Sequence, residues 1–284
     1  MLGNPAARGG TGDAERVVDE LRAGGRRAAL LRAESAEASA AAAREAVAAG
    51  HDRLVVVGGD GLVRIAVDAV AGTGVILGIV PQGTGNDFAR ALGLLDGDLG
   101  DHVHRALAEP VAVDAMRTDH GWVASVATSG FSGDVTARAN GLRWPQGQQR
   151  YTVATLLQMP RLRRLHARIT VDGVVHEADN TMLSIGNTAY FGGGMRICPD
   201  ARPDDGLLHV VVIGPVGKGT FLRVFPRVFG GGHVRHPAVA TYTGRTVRVE
   251  GEDCQMWADG DLLGPLPVTC EVVPGALRVA GARL

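Results

Sequence analysis

The sequence predicts an α/β chain in two parts: a doubly wound N-terminal domain over residues 1–110 and a C-terminal antiparallel β-sandwich over residues 111–284. Three observations carry that prediction. Leu54-Val55-Val56-Val57 and Val75 to Val80 are continuous apolar runs, as in parallel strands buried on both faces. Between them, Leu62 to Val70 has apolar residues on nearly all sides, as a helix packed against such a sheet does. From about Val111 the texture changes to short apolar segments split by glycine, proline and aspartate.

Taken in order, Asp13 can cap a helix carrying Val17, Val18 and Leu21 on one face. Ala28 to Leu31 reads as a short strand, and Ser35 opens an alanine-rich helix to about Ala49. The two buried strands and their helix follow, with sites expected at the carboxyl ends of the strands. In the second part the clearest strands are Trp122 to Val126, Ala167 to Val171, Met182 to Ile185, Leu208 to Ile213, Arg245 to Val249 and Val268 to Val273. Tyr151 to Leu165 and Lys218 to Phe229 break the pattern as helical or irregular segments, with arginines beside apolar groups.

Composition narrows the function classes. With 45% apolar and 21% charged residues and 41 glycines, the chain is a turn-rich globular one. A formal charge of −1 gives no global attraction for nucleic acid, and none is expected as a partner. Cys198, Cys254 and Cys270 have no CxxC spacing, which argues against a disulfide framework or a zinc site and fits a reducing cytoplasm. No apolar run reaches the roughly 18 residues of a membrane span, and the first residues lack a signal-peptide pattern.

Two turns carry chemistry. Gly58-Gly59-Asp60-Gly61 follows a strand and precedes a helix, so its N–H groups can converge on a phosphate while Asp60 adds a carboxylate. The bland alternative is a tight turn with a capping aspartate. Pro81-Gln82-Gly83-Thr84-Gly85-Asn86-Asp87-Phe88-Ala89-Arg90 repeats the arrangement at the end of the next strand. There Thr84 or Asn86 could equally cap the helix that begins near Phe88. Two such turns at adjacent strand ends are expected to meet in one crevice.

With Asn4-Pro5, these segments match in order and spacing the NPxxG, GGDG and PxGTxNDFAR motifs, and the chain resembles the diacylglycerol kinase catalytic family. That family includes bacterial diacylglycerol kinases, YegS-type lipid kinases and sphingosine and ceramide kinases. The likeness continues through Pro199 to Leu208 and Asp259-Gly260-Asp261, over almost the whole chain. It implies a nucleotide-binding first domain of the NAD kinase/diacylglycerol kinase-like type. ATP would be held by Asn4, Gly58, Gly59, Gly61, Thr84 and Asn86, with Asp60 near the transferred phosphate and its Mg²⁺. It implies a structural Mg²⁺ loop using Asp205 and the carbonyls of Arg202 and Leu207; an acidic turn without metal is the alternative. It implies that Asp261, at the place of the family's DGE glutamate, is the base toward a lipid hydroxyl, with Asp259 as competitor. The family's usual first strand is cut here to Met1-Leu2-Gly3, and Leu62 and Arg64 stand where threonine and asparagine are common.

The expected function is therefore ATP-dependent phosphorylation of diacylglycerol or a related lipid, giving a phospholipid such as phosphatidic acid. The protein would be cytoplasmic and peripheral to the inner face of the cell membrane, with a homodimer allowed. Arg161, Arg163 and Arg164, beside Met159, Leu162 and Leu165, could sit on anionic lipid or form a solvated basic face. Phe221, Leu222, Val224, Phe225 and Phe229 could line an acyl-chain groove or pack a core. The nine histidines show no ligand spacing. The rivals are an NAD kinase-like enzyme, which also uses GGDG but lacks the PQGTGNDFAR block, and a catalytically weak nucleotide-binding regulator.

Overall fold

The computed structural model describes residues 1–3, 10–25, 27–142, 144, 148–252 and 254–284. One sheet grows from three parallel strands, β1 (Leu2–Gly3), β2 (Arg53–Gly58) and β3 (Ile76–Pro81). Their apolar residues are continuous because helices cover both faces. On one face α2 (Ala36–Ala48) and α3 (Asp60–Val70) pack over Leu54, Val56, Leu77 and Ile79. On the other, α1 (Gly10–Ala23) and α5 (Leu99–Ala106) cover Val55, Val57 and Val80; the short α4 (Asp87–Ala91) follows β3.

Ser35 is the N-cap of α2, its hydroxyl accepting the Ala38 N–H at 3.1 Å. Asp13, expected as a cap, lies within α1. Ala28 to Leu31 forms no strand; Leu31 makes a single bridge to Leu2, because a two-residue β1 offers no longer partner.

The β-rich part contributes β4 (Pro110–Thr118), β5 (Gly121–Val123), β6 (Val126–Gly130), β7 (Leu165–Val171), β8 (Val174–Asn180) and β9 (Met182–Gly186). The pair β10 (Tyr190–Phe191) and β11 (Met195–Arg196) stands apart as a small hairpin. Then come β12 (Leu208–Ile213), β13 (Val239–Gly244), β14 (Thr246–Glu250), β15 (Gln255–Ala258), β16 (Asp261–Pro265) and β17 (Val268–Ala280). A six-stranded antiparallel sheet runs β13-β12-β9-β6-β15-β16. It faces the larger, nine-stranded sheet, ordered β1-β2-β3-β17-β14-β7-β8 with β4 also on β17 and β5 on β4. Ile169, Ile185, Val210, Val247, Met256 and Val268 meet between the two sheets.

β17 joins the two parts. Its first half pairs with β14 and β4 in the sandwich; after a bulge between Val273 and Leu277, Arg278 and Val279 pair parallel with β3. Pro274-Gly275 reads in sequence as the end of a strand, yet here it is a kink. Leu277, Val279 and Ala282 accordingly lie in the first domain's core. The expected strand Trp122 to Val126 is two, because Ala124 and Ser125 carry the chain from the larger sheet (β5) to the smaller (β6). Outside the six-stranded sheet, α6 (Phe131–Gly141), α7 (Gln148–Gln158) and α8 (Lys218–Val224) form a third layer around Phe131, Val135, Ala154, Met182 and Val211.

Candidate active site

The two glycine turns meet back to back. Gly58 and Pro81 are register partners at the ends of β2 and β3, and the Gln82 N–H donates to the Gly58 carbonyl at 2.9 Å. A Cβ on Gly83 would lie 2.4 Å from the Gly59 Cα, and one on Gly59 2.9 Å from the Gly83 Cα, so both positions need glycine for contact between backbones. Asn86, at φ 50°, closes the second turn: its Oδ1 accepts the Gly83 N–H at 3.0 Å and its Nδ2 donates to the Gly83 carbonyl at 2.8 Å. Asp60, in the first turn of α3, ties the two together by accepting the Asp87 N–H at 2.7 Å.

Beyond these turns a cleft of about 480 Å³ opens between the parallel-sheet part and the sandwich, lined by Asp60, Gly61, Arg64, Asp87, Asp259 and Asp261 among others. Burial raises the Asp60 carboxyl above its ordinary range, opposed by backbone N–H groups at the start of α4. Burial and the neighbouring Asp60 push Asp87 up to about 6. Burial does the same to Asp259, with Asp60 again adding repulsion, opposed by the Ala124 N–H and more weakly by Arg64. Three carboxylates crowding one cleft is an arrangement that an incoming cation relieves. In the first turn of α3 the Gly61 N–H donates to no backbone acceptor among the described residues, and a Cβ there would meet open space. That free amide fits an anionic phosphate oxygen.

Asp259 and Asp261 are held differently. Asp259, at φ 48°, forms the β15–β16 hairpin turn with Gly260, and its two oxygens accept the Ala124 N–H at 3.1 Å and the Ser125 N–H at 3.3 Å. It is a half-buried strut, and the extended-strand geometry expected for it does not hold. Asp261 heads β16 with its side chain half exposed, and Oδ2 pairs with Arg64 Nη1 at 2.9 Å across the cleft. Asn140 secures the hairpin tip by donating from Nδ2 to the Gly260 carbonyl at 3.0 Å.

Of the residues singled out in the sequence, Asp60, Gly61 and Asp261 line the cleft. Gly58 and Gly59 form its supporting turn, Thr84 is exposed on the loop, and Asn86 is engaged with Gly83. Asn4 lies outside the described residues. Leu62 is buried in the first core rather than facing the cleft. Arg202, Asp205 and Leu207 lie on a separate turn, away from the residues that line the cleft. There Asp205 accepts the Leu207 N–H at 2.9 Å through one oxygen and meets His209 Nε2 at 3.0 Å through the other. The buried Asp114 braces the same turn, accepting the Gly206 N–H at 2.8 Å. Asp205 is thus oriented by protein donors, one to each oxygen. Among the described residues no three acidic, histidine or cysteine groups converge as a metal site.

Sequence reasoning named Asp87 and Arg64 without assigning either a role, and missed the Gly192-Gly193-Gly194 turn. Asp87 accepts the Gly193 N–H at 2.7 Å and the Gly194 N–H at 2.6 Å, linking the second glycine turn to the sandwich. The signal was present as a run of three glycines, all of which adopt positive φ.

Beside the cleft is an apolar pocket of about 60 Å³ that shares Thr136, Tyr151 and Phe191 with it. Phe131, Met182, Phe221, Val224 and Phe225 line its interior. Of the aromatic run noted in the sequence, Phe221 and Phe225 thus face the pocket, whereas Leu222 and Phe229 are exposed. Arg163 and Arg164 lie near Asp134 and Asp179, at 3.9 and 3.5 Å, rather than forming an unpaired patch.

A doubly wound domain completed by the last strand of a β-sandwich, with a carboxylate-lined cleft between them, defines a known architecture. The diacylglycerol kinase catalytic domain model matches residues 2–118, and the YegS C-terminal NAD kinase beta sandwich-like domain matches residues 125–281. The chain is 41% identical over 241 residues to a diacylglycerol kinase of Mycobacterium tuberculosis, covering 82% of this chain and 78% of that one. It is 32% identical over 241 residues to a "probable lipid kinase YegS-like" protein of Pseudomonas aeruginosa, covering 83% and 78%. Among solved structures, a diacylglycerol kinase from Bacillus anthracis superposes with a TM-score of 0.73 at 18% identity, covering 98% of this chain and 94% of that one, which shows the common fold. The chain belongs to the diacylglycerol kinase and YegS-like lipid kinase family.

Proposed function

We propose that this protein transfers the γ-phosphate of ATP to the hydroxyl of diacylglycerol or a closely related lipid. The observation that carries this reading is the junction of two unlike cavities: a polar cleft lined by the buried Asp87 and the half-buried Asp60 and Asp259 opens beside an apolar pocket, with Thr136, Tyr151 and Phe191 common to both. A molecule with a polar reacting end and an apolar chain matches that junction. An NAD kinase-like reading leaves the apolar pocket without a use.

Phosphoryl transfer depends on positioning and charge stabilisation. In this chain the Gly58–Gly61 and Pro81–Gly85 turns would seat the phosphates, with first-turn amides of α3 as donors. Asp60 would hold the Mg²⁺ that accompanies the nucleotide, a hard cation whose charge would offset the repulsion Asp60 exerts on Asp87 and Asp259. Asp261, more exposed than its neighbours and free of backbone donors in the described structure, is the carboxylate placed to take the hydroxyl proton. Arg64 then has two roles in sequence: it orients Asp261 through the 2.9 Å pair, and it is a cation within the cleft where phosphate charge develops. The test is ADP formation by the purified protein in mixed micelles. ADP should appear with ATP and diacylglycerol together, and not when NAD⁺ replaces the lipid. The reverse pattern supports the NAD kinase-like rival, and tight ATP binding without turnover on any lipid supports the regulator.

A further inference from the structure

The lining of the apolar pocket includes a buried polar atom that no described residue satisfies. His233, on the single helical turn Gly232–Arg235 that leads into β13, borders the pocket and is 1% exposed. Its Nε2 lies 3.1 Å from the Ile197 carbonyl oxygen. A carbonyl can only accept, so Nε2 carries the proton and the neutral ring is left with a bare acceptor at Nδ1. Burial keeps the ring neutral by lowering its pKa below the ordinary histidine value. Nδ1 is itself buried and has no hydrogen-bond partner among the described residues.

Other polar groups of the lining are already engaged. The Ser132 hydroxyl meets that of Thr128, Thr136 Oγ1 donates to the Ser132 carbonyl at 3.0 Å, and Thr155 Oγ1 donates to the Tyr151 carbonyl at 2.7 Å. His236 Nδ1 accepts the Ala238 N–H at 3.2 Å. Native proteins leave few buried acceptors without a donor, because each forfeits its hydration for nothing. His233 borders a cavity, where the donor of a ligand can reach it. The sheet beneath the pocket fixes where along a ligand that donor lies. Gly130 of β6, Met182 of β9, Ile213 of β12 and Val239 of β13 are register partners in one cross-strand row, and the last three line the pocket. With neighbouring strands about 4.8 Å apart, the row spans about 14 Å, from β6, whose Val126 and Thr128 line the cleft, to β13, which the His233 turn enters. A lipid whose reacting end is in the cleft therefore meets His233 with its chain, well away from that end.

We infer that His233 is a specificity-determining residue that selects a lipid carrying a hydroxyl part-way along its acyl chain, the hydroxyl donating to Nδ1 within the apolar pocket. An amide or amine of a lipid backbone lies close to the reacting hydroxyl, at the cleft end, and does not reach β13. A carboxylate on the chain is itself only an acceptor and would face the bare Nδ1 with no proton between them. An unsubstituted chain still fits the apolar walls but leaves Nδ1 buried and unpaired, so the hydroxylated chain should be preferred by about tenfold or more. The inference rests on the lipid-kinase reading for the position of the reacting end, but the recognition itself needs neither ATP nor turnover.

The test is binding of labelled methyl ricinoleate and methyl oleate, which differ by one mid-chain hydroxyl, to the full chain in neutral detergent micelles without nucleotide. Wild type should bind the ricinoleate about tenfold or more tightly, and an ester hydroxylated beside its carbonyl should bind no better than the oleate. His233→Phe keeps an aromatic ring and removes the acceptor, so the ratio of the two affinities should fall to about one. If that variant does not fold, a crystal structure of wild type with methyl ricinoleate decides: the chain hydroxyl should lie within hydrogen-bonding distance of Nδ1. Equal binding of the two esters by wild type, an unchanged ratio in a folded His233→Phe, a preference for the hydroxyl beside the carbonyl, or an ordered water on Nδ1 with the chain hydroxyl elsewhere would each overturn the inference. Ester discrimination without phosphorylation of any lipid would support the role of His233 while removing the kinase reading. Phosphorylation of dioleoylglycerol with no discrimination between the esters would do the opposite.

Discussion

Asp261→Asn keeps the shape of the side chain at the head of β16 and removes its capacity to take a proton. A positioned carboxylate base contributes about 10² to 10⁴ in rate, or about 3–5 kcal/mol of barrier, and kcat should fall by that amount. The same substitution leaves the fold nearly untouched. The Arg64–Asp261 pair is 2.9 Å long with side chains 25% and 54% exposed, and such partly exposed pairs contribute about 0.2–1 kcal/mol. For a chain of this size the melting temperature should therefore drop by no more than about 4 °C. ATP affinity should be nearly unchanged, since the glycine turns that would hold the nucleotide are in the other part of the molecule. Asp261→Glu extends the carboxylate by about 1.5 Å while retaining the charge that Arg64 faces, and activity should be kept or raised. The assay is kcat at saturating ATP in neutral mixed micelles, beside a thermal melt of each variant. Near wild-type kcat for Asp261→Asn with a dead Asp259→Asn moves the base two residues; activity in both refutes a carboxylate base in this hairpin.

Asp60→Asn should lower kcat by about 10² or more, roughly 3 kcal/mol, with a native melting transition; near wild-type turnover removes Asp60 from the phosphate site. Gly83→Ala places a methyl group 2.4 Å from the Gly59 Cα, so the two turns must part: ATP affinity should fall and stability decrease by about 1–3 kcal/mol, and an unchanged ATP titration contradicts the back-to-back packing. Asp87 and Asp259 are both pushed up to about 6, so between about pH 4 and 6 the folded chain holds protons that the unfolded chain has released. Their contribution therefore declines as pH rises through that window and levels off above it. Asp259→Asn should flatten the pH dependence of unfolding free energy by about 2 kcal/mol relative to wild type, read from denaturant melts at pH 4.5 and 7. Equal slopes in the two proteins would contradict the burial argument.

The parallel core and its glycine turns were legible because each depends on local signals: apolar runs for two-sided burial at Val55 to Val57, and glycine where backbones touch. What escaped depends on long-range pairing. β17 looked finished at Val273 because Pro274-Gly275 has the local chemistry of a turn; only the waiting edge of β3 makes it a kink within one strand. Ala124-Ser125 looked like strand interior because both are small and unremarkable, yet their N–H groups hold Asp259 and mark the crossing between sheets. Asp87 lay inside a recognised motif, but its role depends on Gly193 and Gly194, more than a hundred positions away. The Arg64–Asp261 pair likewise joins two departures from the family pattern that are unrelated in sequence and adjacent in space.

The most direct test of the lipid-kinase account is transfer of label from γ-labelled ATP to a total bacterial lipid extract supplemented with diacylglycerol. Wild type should place label in the organic phase as a phosphomonoester lipid that co-migrates with phosphatidic acid or a related phospholipid, and Asp60→Asn should abolish it. Label that stays in the aqueous phase with every lipid, or organic-phase label unchanged in Asp60→Asn, would contradict the account.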